Sequence, residues 1–422
     1  MEINEMLKGV ACAECGRMHT CPIKEVYIER DAVKNYLANI AADYESILIV
    51  ADENTYSVSG KDTENALCQK KVKNVIFSGK SVLIPNEQAI EKVNEKIEGI
   101  DLIVGIGSGV IQDLCKYVSH AQKIPYIIVA TAPSMDGYAS SGAAMILKGM
   151  KETIPAGLPI AIVADTEVLK NAPMEMIRAG YGDIIGKYSA LNDWRLANVV
   201  NKEPICSFIY NTTYEMIEKT KKTATGLTKR DEKSVKTLME ALIVVGVMMS
   251  FLGNSRPASG SEHHLSHFFE ITGIVKGKPY LAHGIDVAYS TVVTADLRQM
   301  LLSVPFPRTQ YKEPREEYLR NIEKNYGTVA QGCIALQERL GTYNRDRLCI
   351  YLEKEEEIRK ILSDMPKPAE IEALLKEVGL DINELYKTYG TDKIKSAIKY
   401  AKDLKDRYTV LWLYYDLYGD KQ

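Results

Sequence analysis

Histidine is scarce in this chain, and most of it lies in one region. Four of the six histidines fall between His263 and His283, in the segments SGSEHHLSH and LAHG. On a helix, His263 and His267 are four residues apart and project from one face, and His283 comes from a separate segment that can close on them. Because imidazole is a ligand for zinc, iron and nickel, this spacing predicts a metal site, with core packing as the alternative.

A catalytic metal takes three protein ligands and keeps one position open, so two histidines require a further donor. The segment GYGDIIGK places Asp183 among apolar and glycine residues. A carboxylate is costly to bury unless it is paired or bound to a metal. Residue types alone therefore make Asp183 a candidate for the third ligand.

A glycine-rich turn joins a predicted strand to a predicted helix. The strand Asp101–Gly105 runs into GIGSG, and Val110–His120 has a helical pattern. Such a turn lets backbone N–H groups approach a pyrophosphate, although a tight structural turn has the same pattern. The usual fingerprint is G-x-G-x-x-G with an acidic residue about 20 positions downstream. Here position 110 is valine and the acidic strand end, Asp52, lies upstream. A bound nucleotide would therefore occupy a variant of the Rossmann fold, with Asp52 at a ribose.

A second polar loop follows the next predicted strand. Residues 131–142 (TAPSMDGYASSG) combine small residues, hydroxyls and the carboxylate of Asp136. Open α/β sheets bind ligands at the carboxyl ends of their strands, so this loop is a candidate for ligand contacts. An ordinary surface loop is the alternative.

A cysteine cluster lies near the N-terminus, at Cys12, Cys15, His19 and Cys21. The spacing permits a small zinc site. The sequence around it has no paired knuckle or finger frame, and the chain end is close. We therefore expect a reduced loop with a structural role.

The first part of the chain has the alternation of strands and helices that is typical of α/β layering. Asn86–Ile97 has the apolar stripe of a helix, and Ala144–Ile154 is typical of a hairpin that turns at Lys148 and Gly149. Five short apolar runs have the composition of strands buried on both faces. They are Ser46–Ala51, Asn74–Ser78, Asp101–Gly105, Tyr126–Ala130 and Ile160–Ala164.

After Asp165 the strand-like runs nearly vanish and long amphipathic segments follow. Examples are Asp231–Gly253, Glu316–Gly341 and Lys367–Gly379, each ending in a glycine that suits a helix C-cap. The charged run Glu353–Arg359 predicts a solvated helix face with i,i+4 pairs. The predicted fold is an α/β, Rossmann-like nucleotide-binding domain over residues 1–170, followed by an all-α domain over residues 171–422 that binds metal and substrate.

Composition excludes several classes of protein. Lysine and arginine number 53 against 56 aspartate and glutamate, and a net charge of -3 gives no electrostatic footprint for nucleic acid or an anionic membrane. Hydrophobic residues at 46% exclude disorder. The most apolar stretch, Ala241–Gly253, is shorter than a bilayer span and predicts a buried helix. The acidic N-terminus does not resemble a secretion signal, and eight scattered cysteines indicate a reducing, cytoplasmic compartment.

Several motifs together resemble the sn-glycerol-1-phosphate dehydrogenases. This family belongs to the superfamily of glycerol dehydrogenase, iron-containing alcohol dehydrogenases and dehydroquinate synthase, and the similarity spans most of the chain. Ala130 stands where relatives commonly carry proline, and the role of the N-terminal cluster is not carried over. The motifs are VADENTY, GIGSGVIQDLCK, TAPSMDGYASSGAA, AGYGDIIGKYSALNDW, SRPASGSEHHLSH and KDRYTVL.

The resemblance implies roles for the matching residues. Asp183, His263 and His283 would be the metal ligands, and His263 is preferred to His264 because it holds the SEH position of the motif. Asp136, Asp183 and His267 would contact substrate as the catalytic residues. Asp52 would bind the adenosine ribose. The remaining cofactor contacts would be Gly105, Ile106, Gly107, Ser108, Gly109, Thr131, Ala132, Pro133, Ser134 and Ser140.

The resemblance also implies a reaction, the reversible reduction of dihydroxyacetone phosphate to sn-glycerol 1-phosphate in the synthesis of the phospholipid backbone. The cofactors would be NAD or NADP and one divalent metal, either zinc, nickel or iron. Asp52 would repel a 2′-phosphate and so favours NAD. Lys187 and Arg256 are candidates for binding the substrate phosphate by their proximity to the metal motifs. Relatives are often dimers or larger, which implies a homo-oligomer.

Three alternatives remain open at this point. A glycerol or other polyol dehydrogenase would act on an unphosphorylated substrate. A lyase similar to dehydroquinate synthase would use NAD catalytically and release phosphate. A non-catalytic module would depend on structural zinc at the N-terminal cysteines.

Overall fold

The computed structural model describes residues 2–147 and 150–419. The chain forms two compact units, which we call unit 1 and unit 2. Unit 1 comprises Met1–Ile184 and Glu218–Ser255, and unit 2 comprises Ile185–Ile217 and Arg256–Gln422. This is a division by compactness, and the predicted functional boundary at residue 170 stays a prediction.

Unit 1 is an α/β structure. Its strands are Val10–Ala11 (β1), Met18–His19 (β2), Glu25–Glu29 (β3), Ser46–Asp52 (β4), Lys71–Phe77 (β5), Leu102–Gly107 (β6), Tyr126–Ala130 (β7), Gly142–Leu147 (β8), Met150–Pro155 (β9) and Ala161–Asp165 (β10). Its helices are Ile3–Leu7 (α1), Ala32–Ile40 (α2), Glu53–Ala66 (α3), Glu87–Asn94 (α4), Gly109–Gln122 (α5), Thr166–Asn171 (α6), Ala224–Thr228 (α9) and Glu232–Leu252 (α10), and it shares Met174–Asn201 (α7) and Ser207–Lys221 (α8) with unit 2.

Six strands of unit 1 form one parallel sheet in the order β3-β10-β7-β6-β4-β5. The five predicted strands are all present in it. Strands β6 and β7 are buried throughout, and β4 is buried except at its two ends, because helices cover both faces of the sheet. The sequence analysis missed β3, an edge strand whose buried residues alternate with more exposed ones instead of forming a continuous apolar run.

The connections from this sheet leave β4 and β6 in opposite directions. The chain goes from β4 to the edge strand β5 and then returns to β6, which lies on the other side of β4, before continuing to β7. This reversal is a topological switch point, and open α/β sheets bind ligands in the crevice at the carboxyl ends of such strands. The sheet therefore presents its candidate ligand crevice between Asp52, at the end of β4, and Gly107, at the end of β6.

The hairpin predicted at residues 144–154 and the helix predicted at residues 86–97 are both present. Strands β8 and β9 pair antiparallel, with Leu147 opposite Met150. The predicted turn residues Lys148 and Gly149 lie outside the described residues. Helix α4 (Glu87–Asn94) lies within the predicted Asn86–Ile97 segment, and its N-cap is Asn86, whose side chain accepts a hydrogen bond from the backbone N–H of Ala89.

Helix α10 packs inside unit 1 and contains the most apolar stretch of the chain. By length and composition it is apolar enough to cross a membrane, but 72% of its most apolar window is buried. It packs on α6 and on the 3-10 helix Asp136–Ala139. Burial of this kind is typical of the core helix of a globular unit, as the sequence predicted.

Unit 2 is helical, and within the described residues no strand follows Asp165. Its further helices are Ser261–Lys276 (α11), His283–Ser303 (α12), Arg315–Tyr326 (α13), Ala330–Leu340 (α14), Leu348–Glu353 (α15), Glu355–Ser363 (α16), Pro368–Glu377 (α17), Asn383–Tyr400 (α18) and Val410–Tyr418 (α19). Together with the parallel sheet of unit 1, this confirms the predicted fold class.

The predicted helix ends are confirmed, with one interruption that the sequence analysis missed. Gly253, Gly341 and Gly379 follow their helices with positive φ, the conformation that favours glycine at a C-cap. The predicted Glu316–Gly341 helix is divided at Gly327, where φ is 51° and a 3-10 turn separates α13 from α14. The i,i+4 pair between Glu355 and Arg359 confirms the solvated helix face.

Candidate functional site

The glycine turn after β6 brings helix α5 close to the sheet. A Cβ atom at Gly105 would lie 2.8 Å from the sulfur of Cys115, and one at Gly107 would lie 2.6 Å from Cβ of Ile111. Both glycines are therefore required for the packing of the helix. A Cβ at Gly109 would meet nothing in the described residues closer than Met135, at 3.7 Å. The backbone at Gly109 is thus the part of the turn with room for another group beside it.

Asp52 lies beside this turn at the sheet edge. Ala51 of β4 pairs with Ile106 of β6, so the next residue on each strand, Asp52 and Gly107, share the edge. The Asp52 side chain also caps helix α3, because it accepts a hydrogen bond from the backbone N–H of Thr55 at 2.9 Å. A capping role therefore accompanies the predicted ribose contact, and the D-x-x-T spacing signals it in the sequence.

The loop after β7 meets the glycine turn through hydrogen bonds. The backbone N–H of Thr131 donates to the Gly107 carbonyl at 3.1 Å, and the hydroxyls of Ser108 and Ser134 are 2.5 Å apart. The structure thus brings the residues predicted from these two segments to one edge of the sheet. Ser140 lies at the other end of the loop, where its hydroxyl donates to the carbonyl of Gly137.

Three polar residues that hold this loop were missed by the sequence analysis. Gln112 donates to the Tyr138 carbonyl, and the Tyr138 hydroxyl donates to the Ala132 carbonyl at 2.7 Å. The buried Lys116 ammonium donates to the carbonyls of Gly137 and Gly142. Burial lowers the pKa of Lys116, with Asp113 opposing this effect. The signal for Gln112 and Lys116 in the sequence is their position as polar residues on the buried face of α5.

Two glycines allow helices to approach the loop at backbone distance. A Cβ at Gly180 of α7 would lie 1.9 Å from the Pro133 carbonyl oxygen. A Cβ at Gly246 of α10 would lie 2.8 Å from both Cβ of Ala139 and the Asp136 carbonyl oxygen. The loop is therefore fixed between two helices of unit 1, which explains the glycine in each apolar segment.

Asp183 is buried on α7, one turn after Gly180. Its Oδ2 atom accepts a hydrogen bond from the backbone N–H of Asp136 at 3.0 Å. Unit 1 thus brings two predicted substrate-binding residues into contact. Asp183 holds the start of the 3-10 turn that carries the Asp136 side chain.

Three of the predicted histidines form a compact cluster in unit 2. The ring centroids of His263 and His283 are 5.2 Å apart, those of His267 and His283 are 5.5 Å apart, and those of His263 and His267 are 6.1 Å apart. The first two positions follow from i,i+4 spacing on α11, and His283 begins α12, which packs against α11. The structure therefore brings the three imidazoles together, as the spacing predicted.

Glu262 orients the first of these rings. Its Oε1 atom is 2.7 Å from Nδ1 of His263. The same oxygen accepts a hydrogen bond from the backbone N–H of Gly260. Burial alone would raise the pKa of Glu262, but the hydrogen bond and charge of His263 lower it overall. A carboxylate bound to one nitrogen of a histidine is typical of metal sites, because it fixes the ring and directs the other nitrogen to the metal.

His264 has a different environment from its neighbour. It is completely buried, and neither ring nitrogen has a hydrogen-bond partner among the described residues. Burial lowers the pKa of His264 well below its usual value, and Arg407 and Lys405 lower it further. His264 is therefore a neutral residue of the interior.

A buried ion pair anchors the start of α11. The Asp193 carboxylate accepts a hydrogen bond from the backbone N–H of Ser261 at 2.7 Å. It also forms an ion pair with Arg298 at 2.7 Å. A Cβ at Gly260 would lie 2.7 Å from the Asp193 carboxylate, so only glycine fits before the helix. This arrangement, which the sequence analysis missed, fixes the segment that carries Glu262 and His263.

Helix α7 meets the histidine helices within unit 2. A Cβ at Gly186 would lie 2.6 Å from Val287 and 3.4 Å from Glu262. Val287 lies one turn after His283 on α12, and Glu262 precedes His263 on α11. The C-terminal part of α7 therefore passes next to both ligand-bearing helices.

The two candidate phosphate-binding residues, Arg256 and Lys187, lie in different surroundings. Arg256 is 2% exposed and bidentate to Glu203, with distances of 2.8 Å and 2.6 Å, and it also donates to the Tyr408 carbonyl. Glu203 therefore offsets the charge of Arg256. Lys187 is buried on α7, four residues after Asp183.

The donor chemistry fits a divalent metal. His263 and His283 of unit 2 offer two imidazole nitrogens to a metal ion. Asp183, a buried carboxylate of unit 1, stays the predicted third ligand. Three protein donors of this kind with a further open position are typical of catalytic rather than structural metal sites. The Glu262–His263 hydrogen bond is the outer contact that such a site requires.

Comparisons with known proteins agree on one family. Residues 28–173 match the model of the iron-containing alcohol dehydrogenase family. The glycerol-1-phosphate dehydrogenase [NAD(P)+] of Geobacillus thermodenitrificans is 30% identical over 401 residues, covering 92% of each chain. The enzyme of the same name from Thermococcus sibiricus is 32% identical over 311 residues, covering 70% of this chain and 86% of that protein.

Solved structures show the same fold. A probable glycerol dehydrogenase from Sinorhizobium meliloti superposes with a TM-score of 0.59 at 17% identity, covering 92% of each chain. Sulfoacetaldehyde reductase from Bifidobacterium kashiwanohense, solved with NAD+, gives a TM-score of 0.58 at 13% identity, covering 96% of this chain and 99% of that chain. At these identities the likeness shows a shared fold, whereas the sequence relatives identify the branch. The chain belongs to the glycerol-1-phosphate dehydrogenase family.

Proposed function

We propose that this protein catalyses the reversible, NAD(P)-linked and metal-dependent reduction of dihydroxyacetone phosphate to sn-glycerol 1-phosphate. The observation that carries the proposal is the histidine cluster of α11 and α12 in a chain that is similar to glycerol-1-phosphate dehydrogenases over 92% of its length. Imidazoles held in this way suit a divalent metal, and the family relationship supplies the reaction.

The proposed cofactor site is the carboxyl edge of the parallel sheet in unit 1. The turn at residues 105–109 would present backbone N–H groups to the pyrophosphate, and the loop at residues 131–140 would line the same crevice. Asp52 would accept a hydrogen bond from the adenosine ribose through the oxygen that does not cap α3. The nicotinamide supplies the hydride. An acidic residue at the ribose favours NAD over NADP.

Asp183, His263 and His283 are the proposed metal ligands. Support comes from the carboxylate of Glu262, which orients the His263 ring, and from the burial of Asp183, because a carboxylate is costly to bury unless it is paired or bound to a metal. When bound, the divalent metal supplies a Lewis acid for the substrate carbonyl oxygen. Zinc, nickel and iron all suit this donor set.

Three residues have proposed roles in binding and protonating the substrate. Asp136 would accept hydrogen bonds from substrate hydroxyls, with its backbone held by Asp183. His267 would contact the substrate next to His263 and His283 and could pass a proton to the product oxygen. Lys187 is kept as the candidate for the substrate phosphate, and the same role for Arg256, which is paired with Glu203, stays a prediction.

The proposal extends to the protein in the cell. A homo-oligomer in the cytoplasm that supplies the glycerophosphate backbone of phospholipids would agree with the family. Light scattering coupled to size-exclusion chromatography tests the assembly, and a monomeric mass would contradict this part.

The experiment that tests the function follows oxidation of NADH and NADPH with dihydroxyacetone phosphate and, separately, with dihydroxyacetone. Turnover only with the phosphorylated ketone, and a product of sn-1 configuration, would support the proposal. Turnover with dihydroxyacetone alone would instead indicate a polyol dehydrogenase. Silence on both ketones would contradict the proposal and direct attention to a lyase.

A further inference from the structure

The N-terminal hairpin brings three metal-binding side chains together in unit 1. Strands β1 and β2 pair Val10 with His19, and the turn between them carries Cys12 and Cys15. The ligand atoms of Cys12, Cys15 and His19 all lie within 4.8 Å of one another. Neither the family relationship nor the proposed reaction gives these residues a role.

The distances agree with coordination of one ion. The sulfur of Cys15 is 3.4 Å from Nε2 of His19. Zinc lies about 2.3 Å from a thiolate sulfur and about 2.0–2.1 Å from an imidazole nitrogen, so a tetrahedral angle places two such ligand atoms about 3.5 Å apart. The sulfur and nitrogen therefore already have the separation that a shared zinc ion would require.

The turn is shaped to hold a thiolate. The backbone N–H groups of Glu14 and Cys15 donate to the sulfur of Cys12. Gly16 follows with a φ of +67°, and its backbone N–H donates to the Cys12 carbonyl at 3.0 Å. N–H groups directed at the first cysteine of C-x-x-C, followed by a glycine in the left-handed region, satisfy the sulfur in the way that a small zinc loop does.

His19 is held in place from the opposite side. Its side chain is 3% exposed, and its ring stacks on Phe251 of α10, with centroids 5.4 Å apart and planes 14° apart. A stacked ring keeps a single orientation, in which Nε2 faces the sulfur of Cys15. The hairpin thus presents two sulfurs and one nitrogen in fixed positions.

We propose that Cys12, Cys15 and His19 bind a zinc ion. Thiolates and imidazoles are the ligands that zinc prefers in proteins, and the two thiols would release their protons on binding. The sulfur of the nearby Cys21 bonds to Ser250 instead, and Cys21 is not part of the group of donors.

This zinc would stabilise the attachment of the N-terminus to unit 1. The two-residue strands β1 and β2 provide few hydrogen bonds of their own, and Asn4 ties α1 to Val26 of β3. Short segments without a large core are commonly stabilised by a metal. The site would therefore contribute to stability and take no part in hydride transfer.

The test combines metal analysis with cobalt spectroscopy on the full-length protein. Thiolate ligands give cobalt(II) an intense charge-transfer band in the near ultraviolet, which a site made of histidine and aspartate lacks. The variants are Cys12→Ser and Cys15→Ser, with Cys21→Ser as the control from the same hairpin region. His263→Ala removes the proposed dehydrogenase metal and leaves the hairpin unchanged.

We expect two metal equivalents per wild-type chain and a thiolate–cobalt band. Cys12→Ser and Cys15→Ser should lose the band and one equivalent, whereas Cys21→Ser and His263→Ala should keep the band. A wild-type protein without the band would overturn the proposal whatever its enzymatic activity. An unchanged band in Cys12→Ser and Cys15→Ser would overturn the assignment of the two thiolate ligands.

Discussion

Glu262 and Asp286 are two buried carboxylates that lie near the histidine cluster in sequence. Their pKa values are shifted in opposite directions. Glu262 is paired with His263, and its pKa is lowered overall. Asp286 lies three residues after His283 and accepts a hydrogen bond from the hydroxyl of Tyr389. The hydroxyl oxygen is 2.9 Å from Oδ1 and 2.8 Å from Oδ2. Burial nevertheless raises the pKa of Asp286 well above its ordinary value. Each residue leads to a measurable expectation.

Replacing Glu262 with glutamine should weaken metal binding. The amide cannot supply the negative charge that orients the His263 ring and increases its basicity, and losing such an outer contact costs about 10–100-fold in metal affinity. Competition with a chelator measures this affinity in wild type and variant. Glu316→Gln, which changes an exposed residue of α13, is the matched control. An unchanged affinity for Glu262→Gln would mean that the Glu262–His263 contact serves folding alone.

Asp286→Asn should make the free energy of unfolding less dependent on pH. Because the folded pKa is raised, Asp286 contributes stability that is fully present below its unfolded pKa of about 3.9 and is lost as pH rises through the folded pKa. The neutral amide avoids this loss. The free energy of unfolding of the variant should therefore rise relative to that of wild type as pH increases from the unfolded pKa to the folded pKa.

Urea unfolding at a series of pH values measures the effect. The control is Asp392→Asn, at an exposed aspartate of α18, and its difference from wild type should not vary in the same way. A difference between Asp286→Asn and wild type that stays constant with pH would contradict the raised pKa.

At the scale of elements, close helix contacts position the loop at residues 131–140 within unit 1 and the histidine helices within unit 2. Gly180 allows α7 to reach the Pro133 carbonyl, and Gly246 allows α10 to reach the same loop. In unit 2, the pair of Asp193 and Arg298 fixes the N-terminus of α11. The geometry of the functional loops thus depends on a few residues without a chemical role.

Gly180→Ala should destabilise the protein and distort the loop at residues 131–140. Its Cβ would overlap the Pro133 carbonyl oxygen, and overpacking of this kind costs about 1–3 kcal/mol. Chemical denaturation and the dissociation constant of NADH measure the two effects. Gly332→Ala is the control, since this residue of α14 has open space around it and alanine should stabilise a helix interior by about 1 kcal/mol. Equal effects of the two substitutions would refute the close approach.

Arg298→Met should cost about 3–5 kcal/mol, because it leaves the Asp193 carboxylate buried without its cation. The matched control is Arg195→Met. That residue pairs with Asp364 at the surface of unit 2, and an exposed pair contributes about 0–1 kcal/mol. Thermal and urea unfolding compare the two variants. A loss no larger for Arg298→Met than for Arg195→Met would contradict the anchoring role.

At the scale of the whole molecule, the sequence was most informative where one physical signal dominated. Continuous apolar runs predicted the central strands, since strands buried on both faces have no other pattern. The i,i+4 histidines predicted the cluster, because helix geometry alone brings His263 and His267 together. The edge strand β3 and the break at Gly327 were missed, since partial burial and a local turn leave weak patterns.

Pairings between distant residues could not be predicted from the sequence. The contacts of Asp193 with Arg298 and of Arg256 with Glu203 join residues whose types are common on any helix surface. Proximity in sequence predicted a phosphate-binding role for Arg256, yet the fold supplies it with a carboxylate. The capping role of Asp52, in contrast, was visible as D-x-x-T and was overlooked beside the ribose hypothesis.

The most direct test of the central claim is reconstitution of activity with metal. The stripped protein should not reduce dihydroxyacetone phosphate with NADH until zinc, nickel or iron is added back. His263→Ala should stay inactive at every metal concentration, whereas His120→Ala, at an exposed histidine of α5, should recover like wild type. Turnover by the stripped wild type, or full recovery of His263→Ala, would contradict the assignment of a metal-dependent dehydrogenase with His263 as a ligand.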